Sequence, residues 1–238
     1  MFKPLQGIRV IDTSQVLAGP YAAYQLALMG AEVIKVEVPE IGDWTRKGGQ
    51  IPELSDLGIG LSFAPQNAGK RSVAINIKTE EGRAILKRLV ASADVFIENT
   101  RPGKMAALGL GFDDLKAVKP DLVYCSISAF GQDGPYSPRG AYDHVVQGMS
   151  GIMQTTGTVE SGPTKVGAPY VDFATGLSPF IAHPAVSGFN LSSGGTFKHC
   201  QRRDHLARLK YLELDVAARC SLQLSCNPRQ RISQSCQV

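Results

Sequence analysis

Five short apolar runs, separated by helical stretches and polar turns, dominate the first 130 residues and constrain the fold most. They are Gly7-Ile8-Arg9-Val10-Ile11-Asp12, Val33-Ile34-Lys35-Val36-Glu37, Ser72-Val73-Ala74-Ile75-Asn76-Ile77, Asp94-Val95-Phe96-Ile97-Glu98 and Leu122-Val123-Tyr124-Cys125-Ser126-Ile127. Runs this short without strict alternation read as strands buried on both faces, the habit of parallel sheets. Helical patterns lie between them. One starts with Pro20 in its first turn and stops at Gly30; another is capped by Thr79, with Glu80 and Glu81 against the dipole and Ile85, Leu86, Leu89 and Val90 as its apolar stripe. Residues 39–69, rich in Gly, Pro and Asp, read as a long loop. Strand and helix in alternation predict an open α/β sheet with right-handed crossovers and a ligand site at the strand carboxyl ends.

Polar residues gather at those ends: Asp12-Thr13-Ser14, Glu37, Asn76 with Lys78, Glu98-Asn99, and Ser126 with Ser128. Any one of them is an ordinary turn residue. Five ends converging on one edge make the better argument for a site. The first strand–helix turn, Asp12 to Pro20, lacks G-x-G-x-x-G and a Walker A lysine, so neither a conventional dinucleotide nor an ATP site is expected.

Charge divides the chain in two. Residues 179–238 hold 8 Lys/Arg against 3 Asp/Glu, whereas the first 178 hold 17 against 18. The body is nearly neutral and gives no reason to invoke nucleic acid. Four of the five cysteines, Cys200, Cys220, Cys226 and Cys236, also fall after residue 178. No pair has C-x-x-C spacing, and His199, Cys200 and His205 match no standard zinc pattern, so no metal site is expected. No apolar run is long enough for a bilayer, and the N-terminus has no signal core. The expected location is cytoplasmic, with the mitochondrial matrix as an alternative.

Asp172 stands out in Gly167-Ala168-Pro169-Tyr170-Val171-Asp172-Phe173-Ala174-Thr175-Gly176-Leu177. Small residues around it leave room for backbone donors and a ligand to approach. The plainer reading of Asp172 is a helix cap or turn residue.

Ordered blocks over residues 4–178 resemble class III CoA-transferases (the CaiB/BaiF family). They are Asp12 to Pro20, Gly30 to Glu37, Gly42-Asp43-Trp44-Thr45-Arg46, Asn67 to Ser72, Asn76-Ile77-Lys78, Glu98-Asn99-Thr100-Arg101-Pro102-Gly103 and Gly131 to Tyr136. The resemblance implies part of the family's large domain, an incomplete open parallel, Rossmann-like sheet with an irregular C-terminal tail. It implies transfer of CoA from an acyl-CoA to a carboxylic acid, with coenzyme A as substrate, no covalently bound cofactor, and a homodimer in intact members. Asp172 stands where the family's nucleophile stands, which would carry an aspartyl-CoA intermediate. Val16, Leu17 and Ala18 match the turn at the CoA thiol arm; Asn76, Lys78 and Asn99 match positions lining the CoA groove. Some members carry arginines where Val38 and Ala107 stand here.

A related activity, acyl-CoA racemisation, needs a histidine before the aspartate of a Gly-His-Asp block. Here that block reads Gly140-Ala141-Tyr142-Asp143-His144, and Tyr142 holds the base position. Residues 179–238 resemble nothing in the family. They read as an unrelated, shifted-frame or alternative segment, with one helix over Leu206–Cys220. A third expectation follows: a truncated, non-catalytic CoA-binding fragment with apolar faces left exposed.

Overall fold

In a computed structural model, the described residues are 3–182, 189–191, 197–199 and 211–215. The five expected strands are β1 (Arg9–Asp12), β2 (Glu32–Glu37), β3 (Arg71–Ala74), β4 (Val95–Glu98) and β5 (Val123–Ser128). All pair in parallel, in the order β3-β2-β1-β4-β5. Chain order reverses between β1 and β4, which opens a crevice above their carboxyl ends.

Burial on both faces explains the unbroken apolar runs of β1, β2, β4 and β5, whereas β3, at the sheet edge, is largely exposed, contrary to expectation. In β1, Val10 joins a core with Ala22, Ala23 and Leu26 of α1 (Ala18–Leu28). Ile11 points to the opposite core, with Leu86 and Val90 of α3 (Glu80–Ala91) and with Phe96 and Tyr124. Neighbouring strand residues alternate faces, so each face needs its own apolar set. The Thr79 hydroxyl accepts from the Gly82 amide at 3.1 Å, as its cap position predicts. Gly30, at φ +99°, ends the first helix.

Several boundaries differ from expectation. α1 begins at Ala18, which keeps Pro20 in its first turn as expected, but β3 stops at Ala74. The stretch 39–69 is not a plain loop. It holds a 3₁₀ turn at Trp44–Lys47, the short helix α2 (Pro52–Asp56) and another 3₁₀ turn at Ala64–Gln66. Short helices α4 (Lys104–Ala107) and α5 (Phe112–Val118) lie between β4 and β5; α6 (Asp143–Met149), α7 (Ile152–Thr156) and α8 (Tyr170–Ala182) follow β5.

The segment after residue 182 is not wholly irregular. β6 (Phe189–Leu191) and β7 (Phe197–His199) pair antiparallel. β8 (Tyr211–Asp215) extends the main sheet in parallel beside β5. The expected helix over Leu206–Cys220 is therefore corrected at Tyr211–Asp215. The alternation in Tyr211-Leu212-Glu213-Leu214-Asp215 suits a strand, and the free edge of β5 supplies its hydrogen bonds. The remainder of that expected helix lies outside the described residues, as do Cys200, His205, Cys220, Cys226 and Cys236. Among the described residues no helix is long and apolar enough to cross a membrane.

Candidate active site

The crevice holds a cavity of about 430 Å³. One wall is the first strand–helix turn, with Thr13, Gln15, Val16, Leu17 and Ala18, continued by Asn99, Thr100, Arg101 and Pro102 after β4. Opposite stand Val171, Asp172 and Thr175 of α8 and Gly140, Ala141 and Tyr142 before α6. Trp44 stands on the 39–69 segment.

α8 is brought to this wall by close packing on α1. A Cβ on Gly176 would meet the Ala18 carbonyl oxygen at 2.7 Å and Tyr21 Cδ1 at 2.9 Å. One turn earlier, Phe173 packs edge-on to Tyr21, with ring centroids 4.8 Å apart. Gly176 thus lets the two helices touch, and Asp172, four residues upstream, lines the same cavity as the Val16–Ala18 turn.

The cap role that the sequence offered to Asp172 is filled by Asp143. Its Oδ1 accepts from the Val171 amide at 2.7 Å and the Asp172 amide at 3.2 Å. The side-chain amide of buried Gln147 donates to Asp143 Oδ2, while its oxygen accepts from Val166 N at 2.9 Å. Asp143 and Gln147, one turn apart on α6, therefore fix the start of α8. The Asp172 carboxylate itself accepts no hydrogen bond among the described residues. Burial pushes its pKa up to about 6, and the nearby Asp143 charge adds to the rise. The amino-end dipole of α8 acts the other way, favouring the anion, but burial prevails.

The opposite wall is held in an unusual conformation. Val16 has φ +71°, a region that a β-branched residue enters only when its surroundings force it. Asn99 clamps Gln15 from both sides: its Oδ1 accepts from Gln15 N at 2.9 Å and its Nδ2 donates to Gln15 O at 2.7 Å. The Asn99 side chain lines the cavity while its amide is spent on this clamp.

Val16, Leu17, Ala18, Asn99 and Asp172 thus meet at one cavity. Asn76 and Lys78 do not line it. Both are exposed and bound to each other through a turn, Lys78 N to Asn76 Oδ1 at 3.1 Å; Ile77 between them forms the wall. The strand-end polar residues divide similarly. Thr13, Asn99 and Ser128 reach the cavity, whereas Asp12, Glu37, Glu98 and Ser126 are buried in internal pairs.

Sequence reasoning missed Arg101, Arg139, Asp143 and Trp44 as site residues. Arg101 and Arg139 line the cavity, and neither forms an ion pair among the described residues. Arg139 stacks on Tyr136 at 4.6 Å. Arg101 sat inside a quoted block; its unpaired charge was visible only in three dimensions. His144 is not among the cavity-lining residues and stacks on Tyr142. No group of three metal-ligating side chains occurs among the described residues.

The profile of CoA-transferase family III matches residues 5–186. The chain belongs to that family. It is 49% identical over 194 residues to the succinate–glutarate CoA-transferase of Agrobacterium fabrum, covering 80% of this chain and 48% of that protein. It is 45% identical over 180 residues to human succinyl-CoA:glutarate CoA-transferase, covering 76% and 40%. A crystal structure of a CaiB/BaiF family protein from Brucella suis superposes with a TM-score of 0.77 at 36% identity, covering 94% of this chain and 56% of that one. The chain spans less than half the length of these curated relatives.

Proposed function

We propose that this chain carries the nucleophile and the CoA-binding wall of a CoA-transferase that works through Asp172. The observation that carries the reading is a half-buried carboxylate that accepts no hydrogen bond among the described residues and shares a cavity of about 430 Å³ with the Val16–Ala18 turn. A carboxylate with little solvation and no donor is a stronger nucleophile than one in water. Its pKa of about 6 leaves it ionised at neutral pH.

In this reading Asp172 attacks the thioester carbonyl of the donor. The C–S bond breaks, CoA leaves as thiolate, and a mixed anhydride remains. The thiolate then attacks the aspartyl carbonyl, which releases the donor acid and leaves an aspartyl-CoA thioester. An acceptor carboxylate repeats the sequence in reverse and departs as its CoA ester. Arg101 and Arg139 supply unpaired positive charge for the CoA phosphates or a substrate carboxylate. Leu17 and Ala18, at the start of α1, line the cavity, where a helix amino end favours negative charge. The names of the relatives favour dicarboxylic acids as donor and acceptor. Racemisation fares worse, since Tyr142 rather than a histidine lines the cavity beside Asp143.

The test is to incubate the protein with succinyl-CoA, quench with hydroxylamine or borohydride, and map the adduct by mass spectrometry. The expected result is modification of Asp172 and none in Asp172→Asn. Absence of an Asp172 adduct refutes the nucleophile assignment.

A further inference from the structure

Asp43 is 1% exposed and lies in the segment expected to be loop, yet its carboxylate joins two separate walls of the cavity. Oδ1 accepts from Thr45 N at 3.0 Å and Thr45 Oγ1 at 2.6 Å, which caps the 3₁₀ turn carrying Trp44. Oδ2 accepts from Val16 N at 3.2 Å. Oδ2 also lies 3.1 Å from Lys35 Nζ, and that ammonium donates to Ser14 O at 2.8 Å. The Asp43 amide is tied in turn to Glu37 Oε2 at 2.8 Å, and Glu37 is held by Arg46 of the same 3₁₀ turn.

We propose that Asp43, balanced by Lys35, is a positioning residue that sets the Val16 turn and the Trp44 turn relative to each other, and so the width of the CoA cavity. A buried ion pair kept only for stability could sit anywhere in the core. This one is spent on the two flanking backbone groups of a strained turn: Val16 N, held directly, and Ser14 O, held through Lys35. Val16 stays at φ +71° because its amide has a buried charged acceptor in that conformation. Trp44 follows Asp43 directly, so the same carboxylate fixes where that ring meets the cavity.

The cavity's assignment to CoA rests on the function proposed above; the coupling of the two walls does not. The experiment therefore has readouts of both kinds. Asp43→Ala and Asp43→Asn are compared with Leu115→Ala, which empties a site in the core cluster separate from the one that α1 packs into. Amide hydrogen exchange at Val16 and acrylamide quenching of Trp44, the chain's single tryptophan, are measured without ligand. Free CoA affinity is measured by calorimetry.

Losing a charged hydrogen-bond acceptor should speed Val16 exchange by about tenfold or more. Trp44 quenching should change in Asp43→Ala, with a smaller change in Asp43→Asn, which keeps the shape but not the charge. CoA affinity should fall about tenfold in Asp43→Ala, in line with that loss. Leu115→Ala should leave all three readouts near wild type despite its lower stability. If Asp43→Ala fails to fold, Asp43→Asn carries the two unliganded readouts. Equal Val16 exchange and Trp44 quenching in the Asp43 and Leu115 variants overturns the proposal. A wild-type chain that shows no CoA binding overturns the CoA assignment, and the unliganded readouts still decide the role of Asp43.

Discussion

Gly176→Ala should be destabilising, although an alanine in a helix interior ordinarily gains about 1 kcal/mol over glycine. The added methyl would lie 2.7 Å from the Ala18 carbonyl oxygen, 2.9 Å from Tyr21 Cδ1 and 3.3 Å from Ala22 N. Ordinary carbon contacts need roughly 3.5 Å or more. Tyr21 can turn aside, but two of the three obstacles are α1 backbone atoms. α8 would have to withdraw by ~0.5–1 Å at this turn to restore such contacts. Overpacking of this kind costs about 1–3 kcal/mol, which cancels or exceeds the propensity gain. The consequence reaches Asp172 one turn upstream: the carboxylate moves away from Val16–Ala18 and gains water, and its pKa falls from about 6 toward the usual aspartate range. Urea unfolding gives the stability change, and carboxyl-carbon NMR titration gives the Asp172 pKa. A variant about 1 kcal/mol more stable than wild type, with Asp172 still titrating near 6, would show that α8 is not pressed on α1, and the account of the site's placement would be wrong.

Four further outcomes can be measured. The raised Asp172 pKa means the native state holds this proton more tightly than the unfolded chain. The resulting stabilisation is present below pH 3.8 and is lost as pH rises through about 6. Asp172→Asn should therefore be more stable than wild type at pH 7.5, by about 2–3 kcal/mol, with the gap closing near pH 3.5 in urea titrations. Adduct formation on wild-type Asp172 should rise with pH, with a midpoint near 6. Asp143→Ala removes the acceptor for the Val171 and Asp172 amides and should cost about 1–2 kcal/mol. Asp172 should then titrate lower but still above 3.8, because burial is the larger cause of its shift; an unchanged titration would mean the two carboxylates do not interact. Lys70 donates to Asp12 Oδ2, Pro20 O and Asn67 Oδ1 while almost wholly buried. Lys70→Met should cost about 3–5 kcal/mol by leaving Asp12 short of a partner, and adding Asp12→Asn should recover part of it; equal urea midpoints for the single and double variants would contradict that coupling.

Sequence determined a good deal of this protein. Five strands, their parallel sense and the Thr79 cap follow from local patterns: apolar runs, buried on two faces in all but the edge strand β3, and polar residues where the chain turns. The resemblance to class III CoA-transferases pointed to Asp172 and the Val16–Ala18 turn, and the fold brings both to one cavity. Tertiary structure decided which polar strand ends form the site. Asp12, Glu37 and Glu98 read like Asn99 in sequence, yet they are buried in internal pairs while Asn99 meets the cavity. Local pattern could not tell whether Asp172 caps its own helix, because the true cap, Asp143, comes from 29 residues away. Nor could it foresee Val16 at φ +71°, a conformation no local preference of valine favours and one tied to the Asp43 carboxylate across 27 residues. The strand at Tyr211–Asp215 follows the same rule: its alternation permits a strand, and the open edge of β5 makes it one. Elements form where local preference and burial agree. A site forms where distant groups supply the hydrogen bonds and charges that each segment lacks alone.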